Sequence, residues 1–113
     1  MRMNTEQIAI CQRAIDTYGV QSQIAITAEE LSELIQALMK TLRYPEPQKA
    51  PVEVRQALVE EIADLSIVLT HINLIFNVTD EEIAPLIARK LSRLKCWLDS
   101  SDEQSKTMEV RDW

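Results

Sequence analysis

The chain of 113 residues contains one glycine, one histidine and two cysteines, and its 12 basic residues are outnumbered by 18 acidic ones. Each shortage excludes something. One glycine, with few runs in which β-branched and polar residues alternate, leaves little from which to build tight turns and strands. Leu, Ala, Glu, Gln, Lys and Arg dominate instead, so the expectation is an all-α fold. Cys11 and Cys96 make neither a disulfide framework nor a C-x-x-C pair, and both read as buried, reduced thiols. No Glu-x-x-His occurs, which argues against a di-iron carboxylate bundle.

A net charge of −6 excludes a general electrostatic footprint for nucleic acid. The most apolar stretch, residues 65–78, is interrupted by His71 and Asn73 and is short for a bilayer. MRMNTEQIAICQ at the start lacks the apolar run of a signal peptide. These features predict a cytoplasmic protein with neither a membrane nor a nucleic-acid partner. The length suits one domain, taken as residues 1–98, followed by a polar tail over 99–113.

What is present is helical periodicity. Ile8, Cys11, Ile15 and Tyr18 predict a helix over residues 5–18, stopped by Gly19. A second is expected over about 22–42, ending before the prolines of RYPEPQKAP. The third runs from about Pro51 to Asn77, with a seam of Val54, Leu58, Glu61, Leu65, Val68, Ile72 and Ile75. Thr79 and Glu82 stand in capping-box register at the start of a fourth, which reaches about Leu98 and whose Pro85 either kinks it or delays its start. Four helices with short connections predict an antiparallel four-helix bundle.

Two of these helices carry carboxylates on their apolar side. Residues three and four apart share a helix face. Glu30 and Glu33 border the apolar side of AEELSELIQAL, whereas Glu29 aligns with Ala25, Ser32 and Gln36 and reads as solvated. On the third helix Glu61 lies within the seam and Asp64 beside it, and Glu60 falls off the line. Residues 33 and 61, like 30 and 64, are symmetric about residue 47, the centre of the proline-rich loop. An antiparallel hairpin about that point sets Glu33 opposite Glu61 and Glu30 opposite Asp64. Converging carboxylates repel, and must take up protons or hold cations. All-oxygen ligation selects a hard ion such as Mg²⁺ or Mn²⁺.

At Glu29-Glu30-Leu31-Ser32-Glu33 and Glu61-Ile62-Ala63-Asp64 the sequence resembles the all-α nucleoside triphosphate pyrophosphohydrolases, the MazG-like superfamily that includes dimeric dUTPases. The signature there is E-E-x-x-E followed by E-x-x-D, and the likeness is nearest to short, phage-type members. It extends over roughly residues 15–98, through YGVQSQ before the first motif and LIFNVTDEEI before the last helix. The resemblance implies Mg²⁺ held by Glu30, Glu33, Glu61 and Asp64, and hydrolysis of a nucleoside triphosphate to monophosphate and pyrophosphate. It implies phosphate contacts from basic residues of the fourth helix, where Lys90 matches best and Arg93 lies on the edge of the same side. Many relatives carry asparagine four residues after that lysine; Leu94 stands here. It also implies a homodimer or homotetramer, in keeping with the thin core of a short chain.

Other residues keep two readings. Lys90 and Arg93 also read as ordinary surface cations. His71, on Asp64's side of its helix, reads as a nucleotide contact or a satisfied, half-buried histidine. Gln23 reads as a substrate contact or a polar helix start. Trp97, Tyr18, Tyr44 and Phe76 offer faces for a base, and core packing accounts equally for Trp97 and Phe76. For the whole chain, the alternatives to general pyrophosphohydrolase activity are a dUTPase-like or modified-nucleotide-specific enzyme and a non-catalytic helical adaptor.

Overall fold

The computed structural model describes residues 2–100. All regular structure among them is helical: α1 (Thr5–Tyr18), α2 (Val20–Thr41), a 3-10 turn (Pro47–Lys49), α3 (Val52–Ile75) and α4 (Asp80–Asp99). By internal contacts the chain forms two compact units, the first ending at Asn77 and the second beginning at Val78. The sequence reading takes 1–98 as one domain; α1, α2 and α3 make the first unit, and α4 lies in the second. The tail expected from residue 99 lies outside the described residues from 101 onward. Among the described residues no single helix is long and apolar enough to cross a membrane.

In the first unit α2 and α3 pack most extensively, and α1 lies against both. The core is thin. Its buried apolar side chains are Cys11 and Ile15 from α1, Ala37 from α2 and Val68 from α3. Every other member of the α3 seam, Val54, Leu58, Glu61, Leu65, Ile72 and Ile75, is half-buried, so the seam faces inward along its whole length. Ile8 and Tyr18, expected on the inner side of α1, are exposed. Cys96 is exposed as well, correcting its reading as a buried thiol; Cys11 is buried as expected.

Three polar residues are buried beside this core: Gln23, Thr27 and His71. Thr27 returns its hydroxyl to its own helix, donating to the Gln23 carbonyl at 2.8 Å. Ser66 and Thr70 do the same on α3, to the Ile62 and Ser66 carbonyls at 3.0 Å each. Such back-bonding places a hydroxyl's donor on a carbonyl of its own helix.

The helix ends are built locally. Asn4 and Gln7 form a reciprocal capping box at α1, and Thr79 and Glu82 form the one expected at α4. α4 therefore starts at Asp80 with no delay from Pro85, whose missing N–H deprives the Glu81 carbonyl of its helical donor. α2 begins at Val20 rather than near Ser22, because Gly19 both ends α1 and precedes α2.

Gly19 has φ 93° and ψ 156°, a region open essentially to glycine alone. A Cβ placed there would meet no atom within 4 Å, so the constraint is purely one of backbone conformation. Gly19→Ala is expected to destabilise the fold by about 1–2 kcal/mol without changing its helicity. Urea denaturation followed by circular dichroism measures it; an unchanged midpoint would show that α1 and α2 are joined in another way.

Candidate metal centre between α2 and α3

α2 and α3 are joined by ten residues, 42–51, in which three prolines prevent a helix from continuing. Lys49 donates its N–H to the Glu46 carbonyl at 2.9 Å, closing the 3-10 turn. The chain folds back there. A cleft of about 320 Å³ above the turn is lined by Glu33, Gln36, Ala37 and Lys40 of α2 and by Val54, Ala57 and Glu61 of α3. Residues 33–40 facing 54–61 are symmetric about residue 47, which is the pairing an antiparallel hairpin produces.

Carboxylate oxygens of Glu30, Glu33 and Glu61 all lie within 4.8 Å of one another. The three side chains are half-buried, and one oxygen of Glu30 and one of Glu61, Oε2 in each, is buried with no hydrogen-bond partner. Asp64 is half-buried too but stands outside this triplet. It is still felt electrostatically, since its charge raises the pKa of both Glu30 and Glu61. Glu29 and Glu60 are exposed, as their positions on the two helices require.

Glu30 and Glu61 are held above the ordinary carboxylate range. For Glu30 the largest cause is loss of hydration, followed by repulsion from Glu33, Asp64, Glu61 and Glu29. For Glu61 it is again loss of hydration, then repulsion from Glu33, Asp64 and Glu60. Removing water from an anion and crowding it with others both favour the proton. A bound divalent cation answers the same two deficits: it supplies positive charge and ligates the orphaned oxygens. Ligand oxygens at ~2.0–2.6 Å from a shared ion lie up to about 4–5 Å apart, so the triplet's spacing fits one. The donor set contains only oxygen, which suits Mg²⁺ or Mn²⁺.

The other residues singled out in the sequence are distributed more widely. Gln23 and His71 are both buried in the first unit, and they too are symmetric about residue 47. They therefore share a level of the hairpin, seven residues or about 10 Å along the axis from Glu30 and Asp64. His71 Nδ1 has no hydrogen-bond partner, and burial lowers the imidazole's pKa by disfavouring the charged form. Lys90 and Arg93 stand exposed on α4 in the second unit. Phe76 and Tyr18 are exposed and Trp97 and Tyr44 half-buried, so packing does not account for Phe76. Lys40 and Gln36, which line the cleft, were not anticipated. The signal was present: 36 and 40 lie three and seven residues after Glu33, on the same side of α2.

No protein-family model, curated protein or solved structure matches this chain.

The raised glutamate pKa values have a definite sign. The folded state binds protons at Glu30 and Glu61 more tightly than the unfolded chain, so metal-free stability falls as pH rises from about 4.5 through the raised values. His71 acts oppositely, costing stability as pH drops below about 6.5. In EDTA, Glu61→Gln is expected to raise Tm at pH 7–8 and to flatten the loss on the alkaline side. Added Mg²⁺ or Mn²⁺ is expected to raise the Tm of the native chain and to leave that of the variant nearly unmoved. Equal metal-induced shifts in both proteins would remove Glu61 from the centre.

Proposed function

We propose that this chain hydrolyses nucleoside triphosphates to the monophosphate and pyrophosphate, as the MazG-like pyrophosphohydrolases it resembles do. The observation that carries this reading is the triplet of Glu30, Glu33 and Glu61, brought within 4.8 Å across two helices with two buried oxygens left unpartnered. An acidic chain can hold a polyanion only through intervening positive charge, and these residues are arranged to concentrate it. The reading includes Asp64 as the fourth carboxylate and the antiparallel four-helix bundle expected from the sequence.

When bound, Mg²⁺ neutralises phosphate oxygens and acidifies a neighbouring water. The remaining work falls to the chain. Water oxygen forms a bond to the α-phosphorus, and the bond from that phosphorus to the α–β bridging oxygen breaks in line with it. Pyrophosphate leaves, and the proton lost by the water passes to one of the carboxylates. Lys90 and Arg93 serve as phosphate contacts in this reading. Gln23 and His71, at one level of the hairpin about 10 Å from the acids, contact the nucleoside.

The adaptor reading has the exposed apolar residues of α2 in its favour. Against it, a pure binding module would gain stability from apolar side chains in place of Glu30 and Glu61, whose buried charge is costly.

The test is release of pyrophosphate and monophosphate from a panel of canonical and modified nucleoside triphosphates, with Mg²⁺ or Mn²⁺ and with EDTA. Metal-dependent release is expected, and the ranking of substrates separates general from dUTPase-like activity. Glu61→Gln is expected to lose at least ~100-fold in kcat/KM, a typical contribution of a charged group acting on the transition state. Glu29→Gln is expected to stay within about twofold, because an exposed carboxylate contributes little. No release by folded, metal-supplied protein would favour the adaptor.

A further inference from the structure

Every basic residue between positions 14 and 88 falls in one short stretch: Lys40, Arg43, Lys49 and Arg55. The same stretch, 40–55, holds only two acids, Glu46 and Glu53. The α2–α3 hairpin is therefore polarised along its length, with Glu30, Glu33, Glu61 and Asp64 in its middle and an excess of cations around the turn. The cleft of about 320 Å³ lies between the two regions. Its shape follows from residues paired about position 47. Glu33 and Glu61 stand at one end, Lys40 and Val54 at the other, and Ala37 is paired with Ala57 between them. Two methyl groups at one level leave open the space that longer side chains would fill.

Lys40 is the one cation lining this cleft among the described residues. It stands seven residues, about 10 Å along α2, from Glu33, beyond the spacing of a helical ion pair. Lys40 has no ion-pair partner, whereas Lys49 on the turn pairs with Glu46 at 3.3 Å. Side chains on a helix lean towards its N-terminus, so the stem of Lys40 extends over the cleft rather than away past the turn. A cleft with carboxylates at one end and a free ammonium at the other suits a ligand charged in the complementary order, a cation followed by an anionic chain. A polyphosphate carrying a divalent cation has that order.

We propose that the cleft receives the pyrophosphate end of the nucleoside triphosphate, with Lys40 bonding the terminal phosphate. This rests on the pyrophosphohydrolase reading and gives the substrate a direction. Gln23 and His71 lie on the far side of the acids from Lys40, so the nucleoside points away from the proline-rich turn and the terminal phosphate points towards it. Lysine suits the task, because its ammonium is a compact point charge that binds phosphate without demanding one geometry.

The test is calorimetric titration of the full chain with inorganic pyrophosphate in excess Mg²⁺, for the native protein and for Lys40→Met, Lys40→Arg, Ala57→Leu and Lys49→Met. The native chain is expected to bind, and EDTA to abolish binding, because a net −6 opposes a bare anion. Lys40→Met is expected to weaken binding about 10- to 100-fold, and Lys40→Arg to keep most of it. Ala57→Leu, which fills the cleft, is expected to weaken it as far. Lys49→Met is expected to stay within about twofold. All four variants are expected to keep the Mg²⁺-induced rise in Tm. A lysine that served only the C-terminal end of α2 would lower Tm when replaced and leave the affinity for pyrophosphate unchanged; that result would overturn the proposal. So would equal losses in Lys40→Met and Lys49→Met, or no binding by a native chain whose Tm responds to Mg²⁺. If Ala57→Leu does not fold, the two Lys40 variants decide the question. Binding through Lys40 by a chain that releases pyrophosphate from no nucleotide would keep the subsite and overturn the hydrolytic reading. Hydrolysis by a chain whose pyrophosphate affinity is indifferent to Lys40 would do the reverse.

Discussion

The repulsion among Glu30, Glu33 and Glu61, with Asp64 close enough to add to it, is the constraint on which the rest of the structure turns. Carboxylates on two helices can be held within 4.8 Å only if those helices pack against each other over many turns. α2 and α3 supply this as the longest pair of the fold, at 22 and 24 residues, joined by a loop that cannot become helix. The cost of the cluster also explains where the unpartnered oxygens lie. Hydrating Glu30 and Glu61 fully would open the helix pair, whereas burying them fully would exceed what a thin core can offset. Half-burial is the compromise, and it leaves the carboxylate cluster electrostatically stressed.

Around that centre the fold satisfies polar groups locally. Thr27, Ser66 and Thr70 bond back to their own helices, and the ends of α1 and α4 are closed by capping boxes. Among the described residues α1, α2 and α3 meet through apolar packing along the α3 seam, and few side chains are buried there. Such a chain gains from any surface that covers more apolar area.

Much of this was legible in the sequence because helical periodicity is a local property. The spacing of Glu30, Glu33 and Glu61 among apolar residues identified the inward carboxylates and separated them from Glu29 and Glu60. Symmetry about residue 47 followed from the prolines that forced the chain back. Less legible was whatever depends on the amount of surface available to cover a residue. Cys96, Phe76, Ile8 and Tyr18 have the chemistry and spacing of core residues, yet they are exposed, because a pattern identifies the apolar side of a helix without saying how much of it is covered. Lys40 is a different case: no apolar spacing singles out a lone cation, although it stands on the same side of α2 as the glutamates and lines the cleft. The early start of α2 depended on a glycine serving two helices at once, which propensity alone does not reveal.

The two cysteines differ in a way that makes the chain its own reporter. Cys96 is open to solvent on α4, whereas Cys11 sits at 3% exposure in the core, where burial also raises its thiol pKa and suppresses the reactive thiolate. A thiol reagent added to the native protein therefore marks one position per chain without any engineered change. Modification of the second position is slower, and its rate under native conditions reports how readily the first unit opens around Cys11.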